Sequence, residues 1–143
     1  MIRPTGRPLP VPDEHSEGYW TAAAQHTLAL PRCAHCHRFA FPPEVVCPNC
    51  LSTDPQYEYL VVSGAGTVRT WTVISDAFVP GFEDDTPFVL VDVELDAQPD
   101  LRMLGRLTDG VDAPLHLGDR VVVTFEDIAA GVSIPAFHLD AGA

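Results

Sequence analysis

The sequence predicts a mainly β protein: an N-terminal helix, a small four-cysteine metal module and a C-terminal closed barrel. Three features carry that expectation. Two Cys-x-x-Cys pairs, Cys33-Ala34-His35-Cys36 and Cys47-Pro48-Asn49-Cys50, are separated by ten residues. From Tyr57 onward, short stretches rich in β-branched and aromatic residues are divided by glycine and aspartate turns. Ahead of the cysteines, Trp20, Ala23, Ala24, Thr27 and Leu28 recur at helical spacing. The chain accordingly divides into residues 1–31, 32–55 and 56–143.

Pro4, Pro8, Pro10 and Pro12 fix the first segment as an extended arm, since each proline locks φ and removes a backbone donor. An arm of this kind has no core of its own and is either disordered or laid against something else. A helix is expected from Ser16, a fair N-cap, through Glu17 in the first turn and a run of alanines, ending before Pro31. Between the cysteine pairs, residues 39–46 suit a short hairpin. Strands are expected at Tyr57–Val62, Thr67–Ile74, Phe88–Leu95, Leu101–Leu107, Arg120–Glu126 and Val132–Leu139. Val89, Val91, Val93 and Leu95 share one face, against Asp92 and Glu94 on the other. Val121, Val123 and Phe125 share another. Gly64-Ala65-Gly66 reads as a turn and Gly105 as a bend. Closing five or six such strands into a barrel removes their exposed edges.

Composition narrows the chemistry. Twenty acidic residues against eight arginines, with no lysine, give a net charge of −12, and fourteen of the acids follow residue 60. The absence of lysine excludes a Schiff-base, pyridoxal-phosphate or P-loop lysine. The acidic balance argues against nucleic acid, which needs a basic footprint. No stretch approaches the ~20 apolar residues of a membrane span, and the start lacks a secretory apolar run. A cytoplasmic protein is the expectation, and in a reducing compartment paired cysteines favour metal over disulfides.

Cys33, Cys36, Cys47 and Cys50 are therefore the candidate metal ligands. Four thiolates suit tetrahedral zinc, and iron fits the same donors. With every position filled by cysteine the site is closed to water, so its expected role is structural. His35 and His37 are read as exposed neighbours of the ligands. No serine sits in a nucleophile elbow, and His116 and His138 are isolated candidates for a general base. Phe78, Val79, Pro80 and Phe82 gather apolar side chains in the loop after the Thr67–Ile74 strand.

Tyr19-Trp20, Arg32-Cys33-x-x-Cys36, Phe41-Pro42-Pro43, Cys47-Pro48-x-Cys50 and Ser63-Gly64-x-Gly66-Thr67-Val68 together closely resemble the DUF35 proteins, described as zinc-ribbon (rubredoxin-like) OB-fold proteins associated with acyl-CoA. The similarity continues through Thr72-Val73, Pro80-Gly81-Phe82, Gly118-Asp119, Phe125-Glu126-Asp127 and Ile134-Pro135-Ala136-Phe137. His37 departs from it, standing where a glycine often follows the second cysteine. The resemblance implies a zinc ribbon, a five-stranded OB barrel and a non-catalytic role beside a thiolase-superfamily enzyme. That enzyme is a thiolase, a hydroxymethylglutaryl-CoA synthase-like enzyme, or a lipid-transfer-protein-like aldolase that cleaves sterol side-chain CoA thioesters, with a MaoC-type hydratase as a further partner. The expected partner-binding residues are Tyr19, Trp20 and Leu28 on the helix, with Phe78 and Phe82 in the loop, beside the proline arm and the ribbon. The alternative is a stand-alone acyl-CoA module, in which Arg69, Arg102 and Arg106 on predicted strands would meet CoA phosphates.

Overall fold

The computed structural model describes residues 6–141; Pro4 of the arm lies outside them. One helix, α1 (Glu17–Ala23), precedes seven strands: β1 (Ala29–Arg32), β2 (Glu58–Val61), β3 (Ala65–Ile74), β4 (Phe88–Leu95), β5 (Arg102–Leu107), β6 (Arg120–Ala129) and β7 (Val132–Leu139).

Asp13, three positions ahead of the expected cap, organises the start of α1. Its carboxylate accepts from the Ser16 backbone N–H and hydroxyl at 2.8 Å each and from the His15 N–H at 3.1 Å. Ser16 therefore makes no side-chain cap to the helix. The helix also stops sooner than expected. His26 adopts φ 57°, its N–H bonds the Ala23 carbonyl, and the Thr27 N–H bonds the Ala22 carbonyl. That pattern of bonds is a Schellman C-cap, with histidine where glycine is usual. The chain leaves it as strand β1, and Leu28 falls outside the helix.

β1 pairs antiparallel with β2, with Leu30 opposite Leu60. The strand expected at Tyr57–Val62 thus stays outside the barrel and makes a small sheet with the segment after the helix. Gly18 permits the helix to lie on this sheet, because a Cβ there would stand 2.4 Å from the Tyr59 ring.

The barrel runs from Ala65 to Leu139 in the closed order β3-β4-β5-β7-β6. Its one parallel pairing, β5 with β7, closes the Greek key of an OB-fold. The expected faces hold: Val89, Val91, Val93 and Leu95 are buried, and Asp92 and Glu94 lie on the outer face. Gly105, read as a bend, pairs in register with Val91 and instead marks a close approach, since the Phe137 ring lies 2.8 Å from where its Cβ would be. Tyr19, Leu28 and Leu30 join Val68, Val91, Val121 and Phe137 in one core, so the helix and β1 plug the barrel they precede.

The segment between the cysteine pairs forms no hairpin. It attaches to β1 through a single bridge between Arg32 and Phe39 and an Ala40 N–H bond to the Pro31 carbonyl. Gln98, in the β4–β5 turn, clamps it from the barrel side. Its side-chain oxygen accepts from the Phe39 N–H at 2.8 Å, and its amide donates to the Phe39 carbonyl at 3.1 Å.

Candidate functional site

The two cysteine pairs form matching knuckles. In the first, the Cys33 N–H bonds the Arg38 carbonyl at 2.9 Å and the His37 N–H returns to the Cys33 carbonyl at 2.9 Å. In the second, the Cys47 N–H bonds the Ser52 carbonyl at 3.0 Å and the Leu51 N–H returns to the Cys47 carbonyl at 2.9 Å. His37 (φ 61°) and Leu51 (φ 64°) occupy equivalent left-handed positions after the second cysteine of each pair. This turn aims both sulfurs of a knuckle the same way, and the departure at His37 is accommodated without losing it.

The four Sγ atoms lie within 4.8 Å of one another. Cys33 and Cys50, and likewise Cys36 and Cys47, approach to 3.8 Å. The edge of a tetrahedron with metal–sulfur bonds of about 2.3 Å is about 3.8 Å, whereas a disulfide needs about 2.05 Å. The donor set and its spacing therefore fit a tetrahedral thiolate metal. Cys33 and Cys47 are buried and Cys50 is exposed, so one corner faces solvent. The thiols perturb one another. Burial opposes ionisation of Cys47, yet backbone N–H groups of Cys50 and Asn49 and the neighbouring thiols bring it down to about 7. At Cys50 a backbone bond from Ser52 favours the thiolate, but desolvation and the other three sulfurs push it up to about 11. A bound cation removes that conflict by stabilising all four thiolates together.

His35 lies off the cluster and reaches the Asp54 carbonyl at 2.8 Å through its ring. The candidate bases meet no nucleophile. His116 approaches Asp119 at 3.6 Å, and His138 contacts the Leu139 carbonyl. A Ser133–Asp127–His26 cluster does form, with the Ser133 hydroxyl donating to Asp127 Oδ1 at 2.5 Å and His26 Nε2 at 2.7 Å from the same atom. The carboxylate sits between the other two, so this histidine is not hydrogen-bonded to the serine. Its role is to fasten the helix C-cap to the β6–β7 hairpin, with the His26 ring stacked on Phe125 at 5.6 Å.

The barrel arginines are already engaged. Arg69 faces Glu94 at 3.6 Å, Arg102 makes a two-pronged contact with Asp92 at 2.6 and 3.0 Å, and Arg106 lies between Asp85 and Glu126 at 3.4 and 3.6 Å. A phosphate approaching any of the three would meet its carboxylate as well, which weighs against these residues as a CoA-phosphate site.

The expected partner-binding residues separate into two groups. Tyr19 and Leu28, 6% and 3% exposed, belong to this chain's own core. Tyr19 faces inward from the helix, and the early helix end turns Leu28 inward, so neither side chain is presented on the surface of this chain. Trp20 is half-buried, packed edge-on against Tyr19 with ring centroids 4.8 Å apart. Phe82 is half-buried beside Phe88, and Phe78 stands 93% exposed. An apolar recess of about 370 Å³ lies under Phe78, lined by Ile74, Ala77, Val79, Phe82 and Phe88.

Sequence reasoning missed Arg7. The arm lies on the barrel, with the Arg7 side chain 7% exposed, ion-paired to Asp85 and Glu126, and placed 4.7 Å over the Phe82 ring. Arg106 mirrors it on the same two carboxylates, 4.4 Å over Phe88. Gly81, at φ 94°, makes room, because a Cβ there would stand 2.5 Å from the Arg7 nitrogen. Pro80-Gly81-Phe82 was the one available sequence signal, a turn beside two aromatic residues.

Comparison with known proteins is consistent with this architecture. Residues 20–56 match a family model described as ChsH2, rubredoxin-like zinc ribbon domain, and residues 59–126 match one described as ChsH2, C-terminal OB-fold domain. Among curated relatives, the chain is 28% identical over 132 residues to a probable enoyl-CoA hydratase alpha subunit of Thermomonospora curvata. That match takes in 92% of this chain but 40% of the relative, so the chain spans well under half of that protein's length. It is 27% identical over 104 residues to a DUF35 domain-containing scaffold protein of Methanothermobacter thermautotrophicus, covering 73% of this chain and 75% of the relative. A solved structure described as Ltp2-ChsH2(DUF35) aldolase superposes with a TM-score of 0.76 at 27% identity, over 91% of this chain and 98% of that one. A DUF35-family protein of unknown function from Sulfolobus solfataricus shares the fold, at a TM-score of 0.56 and 14% identity, over 89% of this chain and 86% of that one.

Proposed function

The chain belongs to the DUF35 family of rubredoxin-like zinc-ribbon and OB-fold proteins, and from that membership we propose that it is a non-catalytic accessory subunit that binds and activates a thiolase-superfamily enzyme acting on acyl-CoA thioesters. The partner is a lipid-transfer-protein-like retro-aldolase of sterol side-chain CoA degradation. The likeness to the chain of the Ltp2-ChsH2(DUF35) aldolase, which extends over 98% of that chain, carries this reading. The catalytic groups belong to the partner.

Zinc is the metal of Cys33, Cys36, Cys47 and Cys50, and when bound it supplies a fixed cross-link between the two knuckles. The chain's own residues do the rest. The backbone turns at His37 and Leu51 aim the thiolates, and Gln98 holds the ribbon to the barrel in one orientation. Four ligands without disulfides suit a reducing compartment, and cytoplasmic residence is part of the proposal.

Two relatives favour neighbouring readings. The Thermomonospora protein's description makes a hydratase, of MaoC type, a reasonable second partner. The methanogen protein's description as a scaffold is in keeping with a multi-subunit complex, and the alternative reading is one of the acetoacetyl-CoA thiolase and hydroxymethylglutaryl-CoA synthase type. Co-expression with each class of subunit, followed by affinity purification and light scattering, tests the proposal. A stable complex with the lipid-transfer-like aldolase is expected, and a complex with only one of the other classes would replace it.

A further inference from the structure

The barrel closes between β3 and β6 along only the first part of β3, whose second part extends beyond that pairing. Its pairing with β6 covers Ala65 to Thr67, whereas its pairing with β4 continues to Ile74. Val68 turns its backbone outward, its N–H bonding the Asp119 carbonyl and its carbonyl accepting from the Gly118 N–H, both at 2.9 Å. Beyond the bulge between Val68 and Thr70, antiparallel alternation puts Thr70, Thr72 and Ile74 in bonding register with β4 and aims the backbone of Trp71 and Val73 away from the barrel. Among the described residues no strand or loop bonds that outer edge, and residues 69–73 are all exposed.

Exposed edges of this kind are normally protected by lysine, proline, a bulge or a covering segment. Here the sequence Thr70-Trp71-Thr72-Val73-Ile74 is strongly β-forming and carries neither lysine nor proline, and the one bulge lies before it, between Val68 and Thr70. Trp71 and Val73 stand 37% and 48% exposed, although Val91 and Val89, their partners across the ladder, are buried. The edge runs directly into the loop that exposes Phe78 and Val79.

We propose that the outer edge of β3 from Arg69 to Ile74 receives an extended strand of the partner enzyme subunit, which adds to the barrel by backbone hydrogen bonds and lays apolar side chains against Trp71, Val73 and Phe78. This rests on the reading of the chain as a subunit of such an enzyme. The charge pattern selects the occupant. Exposed Asp76 stands at one end of the edge and Arg69, facing Glu94, at the other, so the incoming strand is β-branched or apolar at its centre and carries arginine or lysine at the end that meets Asp76. A second copy of this chain is disfavoured, because it brings another net charge of −12 and no lysine.

Val73→Pro tests the backbone bond itself: it removes one outward N–H while the β4 ladder bonds of Thr72 and Ile74 remain. Affinity for the co-expressed aldolase-type subunit is measured for the full chain, Val73→Pro, Val73→Thr and Trp71→Ala, with hydrogen exchange on the free chain and the complex. A loss of about tenfold or more is expected for Val73→Pro and for Trp71→Ala, and a change within about twofold for Val73→Thr, which keeps the N–H. Slowed exchange in the complex is expected at the Trp71 and Val73 amides. If Val73→Pro does not fold, Trp71→Ala and the exchange pattern of the unaltered chain decide the matter. A complex that forms while these variants bind normally and the two amides exchange as in the free chain overturns the strand-addition site and leaves the subunit role standing. Failure of the unaltered chain to bind overturns both.

Discussion

Arg7 and Asp85, 78 positions apart in the sequence, are joined by a salt bridge that fixes the proline arm to the loop bearing Phe78. The described part of the arm, from Gly6, is thereby joined to the folded body, and Arg7 ties it to the loop through Asp85 and Phe82.

Arg7→Ala should destabilise the chain by about 1–3 kcal/mol, because it leaves Asp85 and Glu126 short of a charged donor. Differential scanning calorimetry measures this, and limited proteolysis should show cleavage moving into the arm and residues 76–84. Unchanged stability would mean the arm is held by its prolines alone.

The same pair predicts an acid response. Partial burial alone would raise the Asp85 carboxyl, but the Arg7 bond and the charges of Arg7 and Arg106 hold it below its ordinary value near 3.8. A depressed folded-state pKa stabilises above the unfolded value, and the contribution is lost as pH falls through the folded one. The cost of Asp85→Asn should therefore be clear at pH 7 and smaller at a pH below 3.8, where the stabilising contribution starts to be lost. An equal effect at both values would contradict the ion pair.

Cys47→Ser should abolish stoichiometric metal and unfold residues 32–55, since a ribbon this small has little core of its own. Elemental analysis of the unaltered chain should give one zinc per chain. The barrel strands should survive in the variant with β-sheet circular dichroism largely retained.

His26 pits backbone strain against contacts. Its left-handed conformation costs about 1–2 kcal/mol relative to glycine, and the Asp127 bond and the Phe125 stack offset that cost. His26→Gly should therefore be close to neutral and His26→Ala destabilising by about 1–2 kcal/mol, as read by chemical denaturation. A His26→Gly variant as damaged as His26→Ala would show that the contacts dominate.

Tyr19 and Trp20 are adjacent but should behave differently. Tyr19→Ala empties a core position and should cost about 3–5 kcal/mol of stability. Trp20, half-buried at the mouth of a recess it shares with Phe82 and Phe88, should instead lose about 2 kcal/mol of partner affinity when changed to alanine. Affinity and thermal unfolding measured side by side separate the two; unchanged affinity with a large loss of stability would place Trp20 in the core.

The sequence made β4 legible because it buries one face, and a period of two survives in the burial of β4 and β5. The knuckles were legible because spacing alone dictates them. β1 was not: Leu28-Ala29-Leu30 follows an alanine-rich helix without a break, and the histidine that ends the helix carries no glycine-like signal. The Ser16 cap failed because Asp13 competes for its hydroxyl. Arg7 and the open edge of β3 depend on partners distant in sequence, which no local pattern encodes. The metal ligands thus came from spacing, and the surfaces offered to a partner only from the fold.

Retro-aldol cleavage of a sterol side-chain CoA thioester by the aldolase-type subunit, measured alone, with this chain, and with this chain by itself, tests the subunit role most directly. The account predicts turnover from the pair, little or none from the enzyme alone, and none from this chain. Turnover by this chain without the enzyme, or full activity of the enzyme without this chain, would contradict it.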